Sequence, residues 1–298
     1  MAPSRLLIQT ILIGLLTLLL TAVAKAQSSN QVLHFRGSEN FAEIPHTDIA
    51  SLRAATIEGW VRWSKLRESS RFVEFGTRDR CLTLALRGPR PDLVYEIRQN
   101  RTEPQAGRRR AGAIHVAGIV PLDQWCHIAA VSGPSGMRLY FNGMLVGSND
   151  FQGSLANLGI RSPGYLGQSV WLTGDHLAFD GQMDDFRIWA EERTQAQIQQ
   201  GMLQPPTNRH PTLLVCLDFE RDLRDPRLGR VGIAQSRGVE VRVPSLPRPT
   251  SPPPLPAIIR GTLRTLDGDL LNRAIVQVLD LNGVLVEGRT GGLAVSLV

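Results

Sequence analysis

The adjacent acidic residues Asp184 and Asp185 are not spaced for hydrolysis of a glycosidic bond. Two carboxylates that act on one such bond must project into the same cleft, and on a β-strand only alternate residues share a face. Asp184 and Asp185 are neighbours, so a regular strand would turn them to opposite faces. Cys126 and His127 fail as a nucleophile and base for the same reason. We therefore predict a protein that is not an enzyme, and the alternative is a hydrolase whose cleft the sequence does not reveal.

Arginines are concentrated in one part of the sequence. Between positions 87 and 110 there are seven arginines and only three acidic residues, whereas acids and bases balance in the rest of the chain after residue 26. Guanidinium groups pair bidentately with sulfate, phosphate and carboxylate groups. We therefore predict a site for a sulfated or acidic glycan, formed by Arg98, Arg101, Arg108, Arg109 and Arg110; the alternative is a solvated loop. The balance elsewhere argues against a nucleic-acid-binding surface.

Aromatic side chains provide a second candidate site. Glycan binding usually requires an exposed aromatic platform surrounded by polar groups. Trp171 lies in a loop bounded by glycines, and Tyr165 lies in a short predicted strand. We predict that Trp171 and Tyr165 contact a glycan, with Trp60 as a further candidate. The alternative is that these aromatic rings pack within the protein.

The elements that position these residues are predominantly β-strands. Trp125–Gly147 contains two strand-like runs joined by Gly133-Pro134-Ser135-Gly136, followed by Asn142-Gly143, a pair that favours a tight hairpin turn. Many further short strands follow one another with turn signals every 8 to 12 residues, and the one clear helix is predicted at Thr194–Met202. The pattern predicts an all-β fold of two antiparallel sheets, as in a sandwich or jelly roll.

Four stretches resemble the laminin G-like, concanavalin A-like lectin/glucanase jelly roll. They are LHFRGSENFAEIP at positions 33–45, ATIEGWVRW at 55–63, the meander at 125–147, and FDGQMDDFRIW at 179–189. The last is the most specific, because the family closes with such a strand followed by a short helix. The resemblance covers Gln31 to about Val243. It implies the fold more than the ligand, since the same fold occurs in lectins, adhesion modules and enzymes.

The resemblance also implies a structural calcium ion. In relatives this ion lies where the first hairpin meets the closing strand, and the matching ligands here are Gly37, Asn40 and Asp185. The sequence departs from the family pattern because Arg36 and Asn40 occupy positions where Asp is frequent. The alternative is that Asp185 accepts hydrogen bonds from loop amides.

The chain divides into four predicted segments. Residues 1–26 have the charged start, apolar run and A-x-A site of a cleaved secretory signal, the alternative being an uncleaved anchor. Residues 27–243 form the laminin G-like domain, and 244–257 form a proline-rich linker. Residues 258–298 resemble part of a carboxypeptidase regulatory-like β-sandwich. We therefore predict a secreted or cell-surface protein with no membrane contact beyond the signal.

Three cysteines are an odd number for an exported protein. Cys81 opens a predicted strand and Cys126 lies in the central meander, so Cys81–Cys126 is the preferred disulfide. The alternative is that these two and Cys216 are buried apolar thiols. Together, these features predict a non-catalytic binding or adhesion module for a glycan or an extracellular protein. A structural spacer domain is a further alternative.

Overall fold

The computed structural model describes residues 30–37, 40–99, 111–170, 178–204, 206–220, 235–237, 239–245 and 249–253. The predicted signal segment, most of the linker and the C-terminal segment 258–298 lie outside these residues. Within the described residues, no helix is long and apolar enough to cross a membrane. Fifteen strands are described: β1 Asn30–Arg36, β2 Phe41–Ile44, β3 Ala55–Trp63, β4 Arg71–Gly76, β5 Arg80–Leu86, β6 Leu93–Gln99, β7 Ala111–Val116, β8 Cys126–Gly133, β9 Gly136–Phe141, β10 Met144–Asn149, β11 Gly164–Leu166, β12 Asp180–Trp189, β13 Leu213–Leu217, β14 Gln235–Arg237 and β15 Glu240–Ser245.

The strands form two antiparallel sheets. The first sheet has the order β10-β9-β8-β3-β12-β1-β15, with β13 also paired to β12. The second sheet has the order β14-β2-β11-β4-β5-β6-β7. Strand β12 is central because it pairs with β3 on one side and with β1 and then β13 on the other. The predicted all-β, two-sheet jelly-roll sandwich is confirmed.

The hydrophobic core lies between the two sheets. Strands β3 and β5 show how alternate residues of a strand enter it, as period 2 requires. From β3 these are Ile57, Val61 and Trp63, and from β5 they are Leu82, Leu84 and Leu86. The residues between them face outward, so each sheet has an outer face. We call these the first face, on the first sheet, and the second face, on the second sheet.

One helix, α1 (Gln195–Leu203), covers the first face. Ile198 packs against Ala129, Val131 and Tyr140, and Met202 belongs to a cluster that includes Trp60. Trp60 is only 1% exposed, so its use as a glycan platform is excluded. Thr194 caps the helix with a capping box, in which its side chain accepts a hydrogen bond from the Gln197 amide.

The predicted central meander is confirmed. Strands β8 and β9 are joined through the turn at Gly133–Gly136, and the β9–β10 turn has Asn142 and Gly143 at φ of 50° and 76°. Two strands were missed, β14 and β15. Strand β14 has three residues and none of them is apolar, whereas β15 does alternate at Val241 and Val243 but leads directly into the proline-rich stretch. Strand β15 extends through Pro244 to Ser245, past the predicted end of the domain. It is at the edge of its sheet, where proline is tolerated.

The predicted Cys81–Cys126 disulfide is wrong. Cys81, Cys126 and Cys216 are all free and buried. Cys126 is in the first sheet and faces the core, where its Sγ donates to the Val61 carbonyl oxygen at 3.3 Å. Cys81 belongs to the second sheet and lies on its outer face, between the positions of Gly76 and Arg98. The two thiols are therefore on different sheets and face different environments, and burial raises the pKa of both.

Candidate functional site

A row of side chains crosses the second face from strand to strand. The backbone register places in one line Glu43 on β2, Tyr165 on β11, Glu74 on β4, Thr83 on β5, Glu96 on β6 and Ala113 on β7. Each of these residues alternates with a core residue of its strand, so all of them face outward. The row has a closed centre and two partly exposed margins, and the three parts differ in chemistry.

The first margin, which we call the aromatic margin, consists of Phe41, Glu43 and Tyr165. The rings of Phe41 and Tyr165 stack with centroids 4.7 Å apart and planes inclined by 24°. Partial burial raises the pKa of Tyr165, and its hydrogen bond to the nearby Glu43 carboxylate raises it further. All three residues are partly exposed. The margin therefore offers apolar ring surface beside a carboxylate and a hydroxyl.

The centre of the row is closed around Glu74. This carboxylate is fully buried. Its Oε1 accepts from Arg71 Nε at 2.9 Å and from the Thr83 hydroxyl at 2.8 Å, and its Oε2 accepts from the Ser169 hydroxyl and from the Val170 amide at 3.0 Å. Both oxygens are thus occupied by protein donors. Glu74 consequently fixes the chain just after β11 onto the sheet.

The second margin contains Arg98, the one described residue of the predicted arginine site. Its Nε and Nη2 both bond the Glu96 carboxylate, with Nη2 at 2.8 Å and 2.9 Å from the two oxygens, and its Nη1 donates to the Arg78 carbonyl oxygen at 3.0 Å. Although partial burial acts in the opposite direction, Glu96 raises the pKa of Arg98. Arg98 is therefore engaged within the protein. The other predicted members, Arg101, Arg108, Arg109 and Arg110, lie outside the described residues, as does Trp171.

The first face holds charged side chains of a different kind. Under α1, Arg187 pairs with Asp185, donates through Nη1 to the Gly201 carbonyl oxygen at 2.8 Å, and lies 3.7 Å from Glu58. Glu58 also accepts from Trp189 Nε1 at 2.7 Å and lies 3.4 Å from Arg193. Burial raises the pKa of Glu58, although the guanidinium groups of Arg187 and Arg193 act in the opposite direction. For Arg187, burial would lower the pKa, but the carboxylates of Asp185 and Glu58 raise it overall. We call these four charged residues the buried ionic network.

A β-bulge explains the position of Asp185. The register between β12 and β3 shifts between Asp184 and Arg187, and Asp185 adopts a φ of 52°. The extra residue brings Asp185 onto the same face as Asp184, contrary to the expectation from a regular strand. Both side chains are nonetheless almost fully buried, so neither is accessible to a substrate. Cys126 and His127 do lie on opposite faces, as predicted, since His127 packs against Trp60.

The three residues predicted to bind calcium are not brought together. Gly37 and Asn40 lie at the start of β12, where Arg36 is in register with Asp180. Asp185 lies five residues further along β12, roughly 16 Å away at the rise of a strand, and its carboxylate is paired with Arg187. In the described part of the chain, no three His, Cys, Asp or Glu residues cluster as a metal site would require. The predicted ligand set therefore does not fit a calcium ion.

Sequence reasoning missed Phe41 and Glu43 as candidate site residues. The signal was present in the stretch FAEI, where Phe41 and Glu43 alternate with the core residues Ala42 and Ile44. What the sequence did not show is that β2 pairs with β11. That pairing, between strands more than 100 positions apart, brings Phe41 against Tyr165.

The comparisons with known proteins agree with this architecture. A laminin G-type family model, described as the concanavalin A-like lectin/glucanases superfamily, matches residues 36–199, more than half of the chain. The chain therefore belongs to this superfamily, which confirms the first predicted resemblance. The carboxypeptidase regulatory-like resemblance of the C-terminal segment stays a prediction. No curated protein matches the chain.

Two solved structures show the same fold. One is a proposed carbohydrate-binding protein from Bacteroides ovatus ATCC 8483, with a TM-score of 0.55 and 16% identity, covering 74% of this chain and 62% of its own. The chain thus spans less than two thirds of that protein. The other is a heptameric SAP-like pentraxin from Limulus polyphemus, with a TM-score of 0.50 and 14% identity, covering 72% of this chain and 95% of its own. At these identities the similarity concerns the fold.

Proposed function

We propose that the chain is a non-catalytic glycan-binding module and that the aromatic margin of the second face contacts the sugar. The observation that carries this proposal is the stacked Phe41–Tyr165 pair beside Glu43. The carbon-bound hydrogens of a sugar ring pack well on aromatic surface. The hydroxyl groups of the sugar can donate hydrogen bonds to a carboxylate and can exchange hydrogen bonds with a phenol hydroxyl. The membership of a lectin-containing superfamily and the fold shared with a proposed carbohydrate-binding protein are consistent with this role.

The positions of the carboxylates on the second face support a non-catalytic role. Glu43 and Glu96 are four strands apart in the row, which is roughly 19 Å at the usual strand spacing. Glycosidases hold their two carboxyl groups about 5 to 10 Å apart. Glu74 lies between them but has both oxygens engaged by protein donors. Within this row, Glu43, Glu74 and Glu96 therefore do not provide two accessible carboxylates at a catalytic distance.

We further propose that the module works outside the cell, as the predicted secretory signal implies. The partner is then a glycan of an extracellular surface or matrix. An extracellular protein ligand and a purely structural spacer are the competing outcomes of the experiment below. For the hydrolase alternative, we expect no release of reducing sugar from any glycan that the protein binds.

The test is a glycan-array screen of the full chain with neutral, sialylated and sulfated glycans side by side. We expect binding to at least one class. The double variant Phe41→Ala/Tyr165→Ala should weaken that binding by at least about tenfold, because it removes the aromatic surface. The matched control is Leu145→Ala, which truncates an exposed apolar side chain on β10 of the first sheet. The proposal is overturned if no glycan binds, or if the double variant folds and binds as the unaltered protein does.

A further inference from the structure

A guanidinium group occupies the corner between the first hairpin and the closing strand β12. Arg67, in the loop that joins β3 to β4, places its Nη2 at 3.0 Å from Asp180 Oδ2. Lys65, from the same loop, places its Nζ at 3.2 Å from the same oxygen. The Asp180 side chain is only 10% exposed, and that of Arg67 is 25% exposed. Two positive charges thus converge on one largely buried carboxylate.

Gly37 is shaped to receive this guanidinium. A Cβ at position 37 would lie 2.8 Å from Arg67 Nη2, closer than Cβ atoms approach other heavy atoms, so the guanidinium would have to shift; the backbone there has a φ of 92°. The Gly37 amide donates to the Phe179 carbonyl oxygen at 3.2 Å, which joins the hairpin to the residue before β12. Glycine at this position therefore both permits the turn and leaves room for Arg67.

Other oxygen atoms of this corner already accept hydrogen bonds from the protein. Asn40 Oδ1 accepts from the Arg36 amide at 3.0 Å, and the Gly37 carbonyl oxygen accepts from the Asn40 amide at 3.3 Å. The Asp180 carbonyl oxygen accepts from the Ser64 amide at 2.9 Å. A calcium ion requires six to eight oxygen ligands from its surroundings. Among the described residues, residues 38 and 39 not being included, this corner instead has one carboxylate with two basic partners.

We propose that Arg67, assisted by Lys65, is a built-in cation that takes the place of a structural metal ion at this corner. The guanidinium joins the same parts that a metal would join, namely the first hairpin and the start of the closing strand. It neutralises Asp180 and fills the space that Gly37 leaves open. The fold, and any ligand binding by the second face, are then independent of calcium.

The test compares thermal melts of the full chain and its Arg67→Ala variant in chelator, in millimolar calcium chloride and in millimolar ethylguanidinium chloride. We expect the melting temperature of the unaltered protein to be the same with calcium and with chelator. The variant should melt roughly 3–6 °C lower. Ethylguanidinium should restore part of that loss by entering the vacated corner, and should have no such effect on Arg67→Ala/Asp180→Asn, in which the carboxylate is also gone.

Two controls separate the specific role of Arg67 from a general loss of charge. Arg53→Ala removes an arginine that is exposed and should leave the melting temperature nearly unchanged. Arg67→Lys keeps the charge and should melt between the unaltered protein and Arg67→Ala, which also covers the case in which Arg67→Ala does not fold. Calcium-dependent stabilisation of the unaltered protein would overturn the proposal. So would an Arg67→Ala variant that melts like Arg53→Ala.

Discussion

The two outer faces of the sandwich both carry charged residues, but they use them differently. On the first face, Glu58, Asp185 and Arg187 are each at most 2% exposed, because helix α1 lies over them. On the second face only the centre of the row is buried, and the margins at Tyr165 and Glu96 remain partly exposed. The same alternation of strand residues therefore produces a structural network on one side and an accessible surface on the other.

The difference shows that a charged residue is available for binding only where no other element of the fold lies over it, whatever its residue type. The Asp-Asp-Phe-Arg stretch of β12 is the most family-specific part of the sequence, yet its charged side chains are enclosed beneath α1. The short β2 has no distinctive motif, yet it supplies two of the three residues of the aromatic margin. Family-specific residues in this chain thus stabilise the fold, and less distinctive residues make up the candidate site.

The largest expected effect comes from breaking the buried ionic network. Arg187→Met removes the guanidinium that pairs with Asp185 and approaches Glu58, and it leaves two carboxylates without that partner in a buried site. We expect the free energy of unfolding to fall by about 3–5 kcal/mol, as measured by urea denaturation. Arg98→Met is the matched variant on the second face. It should cost no more than about 1 kcal/mol, because its partner Glu96 can be solvated.

Equal costs for Arg187→Met and Arg98→Met would contradict the distinction between the two faces. A stable Arg187→Met variant would mean that α1 does not seal the network from water. A strongly destabilised Arg98→Met variant would mean that the second margin is as enclosed as the first face. In the latter case the second face would not be an accessible binding surface.

A smaller effect is expected at the centre of the second face. Glu74→Gln keeps the size of the side chain but removes the charge that Arg71, Ser169 and the Val170 amide bond. Hydrogen bonds to charged groups contribute about 1.5–3 kcal/mol, so we expect a loss in this range from urea denaturation. Glu43→Gln, at the exposed margin of the same row, should change the stability by less than about 1 kcal/mol. Comparable losses for the two variants would show that the row is uniformly buried.

The local features of the fold were predictable because they depend on residues close in sequence. Asn142-Gly143 predicts its own tight turn, Thr194 predicts the start of α1, and the alternation in β3 predicts which of its residues share a face. These assignments required no knowledge of what lies opposite each strand. The strand β15 was missed although Val241 and Val243 alternate with Glu240 and Arg242. Its pairing with β1, at the other end of the domain sequence, is a long-range feature that no local pattern shows.

The candidate site was less predictable because it depends on pairings between distant strands. Tyr165 was identified from its type, but Phe41 and Glu43 reach it only through the β2–β11 pairing. Arg98 was predicted to bind an anion because the sequence argument compared the numbers of basic and acidic residues and did not consider that Glu96, on the same face of the strand, could pair with Arg98. Two residues apart on one strand, the pair forms a bidentate ion pair. Asp185 was assigned to the face opposite Asp184 because the sequence of a single strand does not reveal a β-bulge.

A loss of about 1 kcal/mol is expected when the helix that distinguishes the two faces loses its cap. Thr194→Ala removes the hydroxyl that accepts from the Gln197 amide at the start of α1, and N-cap substitutions of this kind typically cost about 1 kcal/mol. Thr194→Ser keeps the hydroxyl and should be nearly neutral. The measurement is urea denaturation of both variants.

Amide hydrogen exchange should increase in α1 of Thr194→Ala, while the exchange of β5 and β6, on the opposite sheet, stays unchanged. Faster exchange across both sheets would mean that α1 is not a separate cover.

The smallest expected effect is a dependence on pH at the entrance to α1. Glu192 is partly desolvated, which alone would raise its pKa, but the Ser135 amide and Arg138 bond its carboxylate and lower the pKa overall. A carboxyl group with a lowered pKa in the folded state stabilises the fold above its unfolded pKa, about 4.3, and loses this contribution as the pH falls through the folded value. At pH 7 the free energy of unfolding of Glu192→Gln should therefore be lower than that of the unaltered protein, by less than about 1 kcal/mol. The free energies of the two proteins should become equal below about pH 4. Glu191→Gln removes the adjacent charge and is the control. If it reproduces the pH dependence of Glu192→Gln, the effect reflects the total charge and not the contact of Glu192 with the β8–β9 turn.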